Sequence, residues 1–197
     1  MNDPLAATKK ELRTRLLAAW RSFPPADLAT LSFALCIRVE ALPEWKAARS
    51  VLLFTPMPGE IDIAPLAHAA LQAGKTVAVP RTDWVGGRLK PVRALHWPLV
   101  PLKPGERAPT PPDELREVSP ASLDLIVTPG LSYDAAGRRL GRGAGFYDRF
   151  LLENGLATRA IGLVPDRLLQ EQIPAGAMDA PVSIVVTETR EIRSRRS

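Results

Sequence analysis

The sequence predicts an α/β fold: a single-domain, Rossmann-like three-layer sandwich, with a mostly parallel sheet and helices on both faces. Three observations predict it. Short apolar runs of strand length recur at 50–54, 76–79, 123–128, 160–164 and 182–187. Helix-period segments, not tight turns, separate most of them, and that alternation is how parallel strands joined by crossovers read. No internal repeat or domain linker interrupts the 197 residues, a length that suits one sizeable core.

Each element has its own signals. Residues 8–21 (TKKELRTRLLAAWR) open with a capping-box pattern, Thr8 with Glu11. Leu12, Leu16, Leu17 and Trp20 form an apolar stripe at helical spacing. Lys9 and Arg13 are four apart and share a face, which reads as a solvated basic face or as a two-pronged grip for phosphate. Pro24-Pro25 break the chain. Asp27 suits the cap of a second helix over 27–41, with Leu28, Leu31, Leu35 and Val39 inward. The loop after the first strand, 55–62 (TPMPGEID), leaves the carboxyl end of a strand, where open α/β sheets bind ligands. Glu60 in it reads as a substrate contact or as an acid near a helix N-terminus. A helix over 62–73 follows, with Asp62 as its cap and Gly74 as the glycine that ends it. His68 inside it reads as a surface or packing residue.

Pro80 is expected to stop the second strand, leaving Arg81 and Asp83 at its end. Gly86-Gly87 turns a hairpin arm within 84–92. The proline-rich stretch 98–120 reads as a long ordered loop laid over the sheet, and Trp97 before it as packing. The third strand delivers residues 138–150 (RRLGRGAGFYDRF), of which 146–152 read as a helix. A short helix over 166–172 separates the last two strands.

Composition narrows the function classes. Apolar residues at 46% and charged residues at 24% are those of a globular protein, and twenty prolines imply many fixed loop ends. The net charge of +5 is partly local, because Arg190, Arg193, Arg195 and Arg196 crowd the last residues; 190–197 read as a solvated, flexible basic tail. No basic face carries the aromatic or base-reading groups that nucleic-acid binding needs, and a basic cleft for a polyanionic small molecule fits better. A lone cysteine, Cys36, excludes an intrachain disulfide and reads as a buried thiol in a reducing cytoplasm. No run approaches the ~18 apolar residues of a membrane span, and no apolar signal core opens the chain.

Residues 138–150 announce the chemistry. Gly141, Gly143 and Gly145 alternate, arginines lie before and among them, and a helix follows. Glycines admit close approach of a ligand, and the free N–H groups of a helix start suit an anion. The loop lacks the GK[ST] of a P-loop and the spacing of a dinucleotide fingerprint. A phosphate or nucleotide site and a tight structural turn both remain open on these residues alone.

The longer run VTPGLSYDAAGRRLGRGAGFYDRF, residues 127–150, resembles the signature of the 5-formyltetrahydrofolate cyclo-ligases, also called methenyltetrahydrofolate synthetases. The likeness extends to Lys9, Leu12 and Arg13, to 53–62 with Glu60, and to 74–80. It continues through 161–163, Ile173-Pro174, Asp179 and Thr187-Glu188. The resemblance implies ATP-dependent closure of 5-formyltetrahydrofolate to 5,10-methenyltetrahydrofolate, with release of ADP and phosphate and with Mg²⁺ as cofactor. It implies ATP contacts from Lys9, Lys10, Arg13, Arg139, Leu140, Gly141, Arg142, Gly143, Ala144, Gly145, Phe146 and Tyr147. Arg142 and Tyr147 would serve catalysis; Thr55, Glu60 and Tyr147 the folate; Asp148 and Asp179 the metal. The expected enzyme is a cytoplasmic monomer, with a folate that carries or lacks a polyglutamate tail and with no nucleic-acid or membrane partner. The alternative is a non-catalytic folate- or nucleotide-binding relative. The chain departs from the family pattern at Ala144, Phe146, Met178 and Ser183, and in the prolines before Glu60; these leave room for altered substrate preference.

Overall fold

The computed structural model describes residues 3–97, 111–112 and 114–194. Helix α1 (Pro4–Arg21) starts earlier than its capping-box pattern suggests. Asp3 caps it, accepting from the Leu5 N–H at 3.0 Å, and Pro4 takes the first position, where its missing N–H costs nothing. Thr8 is therefore inside the helix, and its hydroxyl donates back to the Pro4 carbonyl. Helix α2 (Pro25–Ala41) likewise begins on its proline instead of at Asp27, and a short α3 (Pro43–Ala47) leads to strand β1 (Ser50–Leu52). Helix α4 (Ala64–Gln72) follows; the Asp62 carboxylate accepts from the Ala64 N–H, and Gly74 ends the helix at φ 69°.

Strand β2 (Thr76–Asp83) runs through Pro80 and does not stop there. Pro80 faces Pro91 of the antiparallel β3 (Arg88–Ala94), so neither imide needs to donate across that pair. On its other side β2 is paired with β1 only as far as Ala78, so Pro80 interrupts no ladder there. Asp83 closes the hairpin by accepting from the Val85 and Gly86 N–H groups. Within the proline-rich stretch, 98–110 and Asp113 lie outside the described residues. The described end runs along the sheet edge: the Val118 N–H donates to Pro91 O and the Arg93 N–H to Arg116 O.

Strand β4 (Leu125–Thr128) leads to a small hairpin, β5 (Ser132–Tyr133) with β6 (Arg139–Leu140), then to helix α5 (Phe146–Glu153). Strands β7 (Ala160–Leu163), β8 (Ile184–Val186) and β9 (Glu191–Arg193) complete the chain. The helix expected over 166–172 is only a 3₁₀ turn, Asp166–Leu168, because Pro174 and the bond from the Gln170 N–H to Tyr133 O draw the chain away. Residues 191–193, expected in a solvated tail, pair antiparallel with β8. Arg190 binds Asp166 and Arg193 binds Glu44, so these arginines have structural partners. Residues 195–197 lie outside the described set.

The main sheet has the order β3-β2-β1-β4-β7-β8-β9, parallel except at its two antiparallel edges. The central strands are buried throughout, as strands covered on both faces must be. From β1 the chain steps one way to β2; from β4 it steps the other way to β7. Right-handed crossovers then put α4 and α5 on opposite faces. The gap between β1 and β4 is the switch point, and loops leaving their carboxyl ends face a common crevice.

A fully buried tyrosine supports that crevice from below. The Tyr133 hydroxyl donates to Thr128 O at 2.8 Å, and burial pushes its pKa up to about 12. Its ring occupies the space where Gly130 and Gly162 lack a Cβ; a methyl on Gly162 would lie 2.2 Å from the ring. Gly162→Ala is therefore expected to destabilise by about 1–3 kcal/mol, lowering Tm by roughly 2–12 °C. A thermal melt showing an unchanged Tm would contradict this packing.

Cys36 and His68 behave as expected. Cys36 is buried, and burial pushes its thiol up to about 12; His68 is exposed. No helix among the described residues is long and apolar enough to cross a membrane.

Candidate active site

The crevice at the switch point is a cleft of ≈ 460 Å³, within the size range of small-molecule sites. Helix α1, the end of β2, residues 178–179 and three further stretches of chain build it. The loop after β1 supplies Thr55, Met57 and Glu60; the chain after β4 supplies Pro129 and Gly130; 139–149 form one wall; and α1 lies across the opening. Helix α1 is fastened there by its own stripe. Trp20 Nε1 donates to Leu131 O at 2.9 Å, and Arg13 Nε donates to Gly141 O at 3.0 Å.

The β5–β6 hairpin decides which arginine faces the cleft. Asp134 is fully buried and accepts from the Ala136, Arg138 and Ile173 N–H groups and from Arg138 Nε. That holds the turn and keeps Arg138 outside. Arg139, its neighbour in the strand, points inward. Its guanidinium donates to Asp148 Oδ1 at 2.7 Å and to Pro129 O at 3.2 Å, and lies 5.6 Å from the Tyr147 ring centre.

After Leu140 the chain enters the glycine loop. Gly143 at φ 109° and Gly145 at φ 69° hold conformations that other residues rarely adopt. Gly145 is the residue before α5, so the loop turns directly into a helix start whose first N–H groups have no partner within the helix. Asp148 stands in the first turn.

Cations and carboxylates meet in pairs across the cleft. Lys9 Nζ binds Asp179 Oδ1 at 2.6 Å. Burial works to raise the Asp179 pKa, but the Gly176 N–H and the Lys9 ammonium outweigh it and hold the carboxyl below its usual range. Arg142 Nε binds Glu60 Oε1 at 2.7 Å, while Glu60 Oε2 accepts from the Met57 N–H at 3.0 Å. Tyr147 lines the cleft; its hydroxyl is buried and has no hydrogen-bond partner among the described residues, and burial pushes its pKa up.

The structure gathers every residue singled out for the site except one. Lys10 is exposed on α1, outside the cleft lining, because it is one helical step from Lys9 and faces away. Sequence reasoning missed Met57, Thr82, Trp84 and Arg149, which also line the cleft. Trp84 meets the Phe146 ring edge-on at 4.8 Å, and Arg149 ties the hairpin to the glycine loop by donating to Gly87 O and Ala144 O. The signal for Arg149 was its place four residues after Gly145, on the helix face that turns back to the loop.

The departures from the family pattern also separate. Ala144 is exposed and has no positive φ, so its methyl is accommodated. Phe146 and Met178 line the cleft. Ser183 does not: its hydroxyl donates to Ala160 O, at the opposite, amino end of the parallel strands.

Known proteins resemble this chain in sequence and fold. The model of the 5-formyltetrahydrofolate cyclo-ligase family matches residues 5–188. The chain belongs to that family. It is accordingly a ligase of folate one-carbon metabolism. The 5-formyltetrahydrofolate cyclo-ligase of Mycolicibacterium smegmatis is 34% identical, over 96% of this chain and 98% of its own. That of Escherichia coli is 30% identical, over 86% and 94%. The solution structure of Aquifex aeolicus 5,10-methenyltetrahydrofolate synthetase superposes with a TM-score of 0.79 at 30% identity, over 96% of this chain and 94% of its own.

The metal question can be asked of the donors. Among the described residues no group of three or more His, Cys, Asp or Glu could hold a metal ion by itself. Mg²⁺ does not need one: it binds through one or two carboxylates and the phosphates of a nucleotide. Asp148 fits that demand, since its described bonds, from Arg139 and the Ala180 N–H, both go to Oδ1.

Proposed function

We propose that this cleft converts 5-formyltetrahydrofolate to 5,10-methenyltetrahydrofolate at the expense of ATP. The observation that supports it most is the convergence of Lys9, Arg13, Arg139 and Arg142 on a glycine loop at a helix start, facing Glu60 across one cleft. An amide oxygen is a poor leaving group until it carries phosphate. The formyl oxygen attacks the γ-phosphorus and ADP leaves. N10 then attacks the formyl carbon, the N10 proton is lost, and the oxygen departs with phosphate. Such transfer depends on alignment and on neutralising charge, not on a side-chain nucleophile.

Each residue has a task in this reading. Lys9, Arg13 and Arg139 bind phosphate oxygens, together with the backbone N–H groups of the loop. Arg142 follows the charge on the γ-phosphoryl group as it moves. Glu60, held by the Met57 N–H, binds the pterin N–H groups beside Thr55. The Tyr147 hydroxyl completes its hydrogen bond with a substrate oxygen. Asp148, with Asp179 near it, holds Mg²⁺, which neutralises the phosphates when bound. The protein acts as a cytoplasmic monomer on folate with or without a polyglutamate tail. The exposed Met178 at the rim, where the family carries polar residues, bears on substrate preference.

The test is direct. Purified protein with 5-formyltetrahydrofolate, ATP and Mg²⁺ is expected to produce the absorbance of the conjugated methenyl product, with one ADP per product and none without ATP. Folded protein that binds both ligands without turnover would favour the non-catalytic relative.

A further inference from the structure

The Arg142–Glu60 ion pair joins the two halves of the cleft, and it differs from the other two pairs. Arg139 is nearly enclosed, with 4% of its side chain exposed, and it has the second acceptor Pro129 O. Lys9 is 13% exposed, and its partner Asp179 is fixed by the Gly176 N–H. Arg142 is 41% exposed, and its bond to Glu60 is its only one among the described residues. It sits beside Gly143, where the backbone bends through a positive φ. Of the three cations it is the one that can leave.

Glu60 cannot follow it. Its Oε2 is anchored by the N–H of Met57 in its own loop, so the carboxylate keeps its place when Oε1 is released. Oε1, the oxygen that its own loop does not hold, is the one Arg142 occupies.

We propose that the Arg142–Glu60 pair is a latch that couples the two substrates: phosphate draws Arg142 away and leaves Glu60 open to the pterin. This rests on the folate reading of Glu60 given above. A ligand shifts an equilibrium only by its differential interaction with the two states. ATP phosphate attracts Arg142, so it stabilises the open latch; the pterin requires Glu60 free, so it does the same. Each substrate therefore raises the affinity of the other by one and the same factor. A half-exposed ion pair is weak, so the factor is about fivefold. The coupling is reciprocal, so it favours the complex that holds folate together with the phosphate needed to activate it.

The experiment is calorimetric titration with 5-methyltetrahydrofolate, which has no formyl oxygen to phosphorylate, with and without a non-hydrolysable ATP analogue and Mg²⁺. In the unaltered protein the analogue is expected to tighten folate binding about fivefold. Arg142→Ala is expected to bind folate about fivefold more tightly than the unaltered protein when no nucleotide is present, with no further gain from the analogue. A gain of affinity on deleting a cleft arginine is not what a merely structural role produces. Thermal melts and Arg142→Lys, which keeps the charge and should keep the coupling, guard against misfolding. Unchanged or weaker folate binding in Arg142→Ala would overturn the latch while the proposed reaction still stands. Glu60→Gln separates the two ideas: full folate affinity in that variant would remove Glu60 from the pterin site, and the latch with it.

Discussion

Arg142→Ala is expected to lower kcat by about 10²- to 10³-fold, while the KM for 5-formyltetrahydrofolate does not rise. The reason is where and when its charge is needed. Lys9 and Arg139 are enclosed and paired with carboxylates, so they can hold ground-state phosphates without moving. Arg142 is the exposed cation on the loop that carries two positive-φ glycines. Bound ATP draws Arg142 to the γ-phosphate, and the contact strengthens as the phosphoryl group moves toward the formyl oxygen; the part gained only then acts on kcat. With no nucleotide bound the partner of Arg142 is Glu60, so removing Arg142 frees the proposed folate ligand and does not disturb it. Steady-state kinetics with each substrate varied in turn decide the matter. A raised folate KM at unchanged kcat would place Arg142 in ground-state folate binding instead.

Much of this site could be read from the sequence because its parts are local. The glycines, Arg142, Asp148 and the helix they feed lie within one short run, and their backbone demands show in the residue types. The strands were legible too, since buried parallel strands are continuous apolar runs. What could not be read depends on pairing between distant segments. Strand β2 continues past Pro80 because β3 offers a proline opposite it, which no local rule states. Strand β9 was hidden by its arginines; Arg193 is stable in a strand because Glu44 stands beside it from far along the chain. The ion pairs of the cleft are of the same kind. Glu60 and Arg142 each looked like a ligand-binding group, and nothing in either segment announced that they bind one another.

Asp148 poses the last question, because it has two candidate duties that give opposite results in two variants. Its Oδ1 accepts from Arg139 at 2.7 Å and from the Ala180 N–H at 3.2 Å, and both partners are buried. Asp148→Ala removes the counter-charge of an enclosed guanidinium. Breaking such a pair costs about 3–5 kcal/mol, and the orphaned Ala180 N–H adds to it. Tm is expected to fall by roughly 6–20 °C on that basis. Asp148→Asn also loses the counter-charge but keeps an oxygen for both donors, so it should fold with a smaller loss than the Ala variant. Its activity then reports on the other duty. If Asp148 holds Mg²⁺, the Asn variant turns over slowly and needs a higher Mg²⁺ concentration to reach half its maximal rate. If Asp148 serves only to seat Arg139, the Asn variant keeps the Mg²⁺ dependence of the unaltered protein. The expected result is the shifted Mg²⁺ curve, because Oδ2 of Asp148 makes no described bond and a single carboxylate with the nucleotide's phosphates is enough for Mg²⁺.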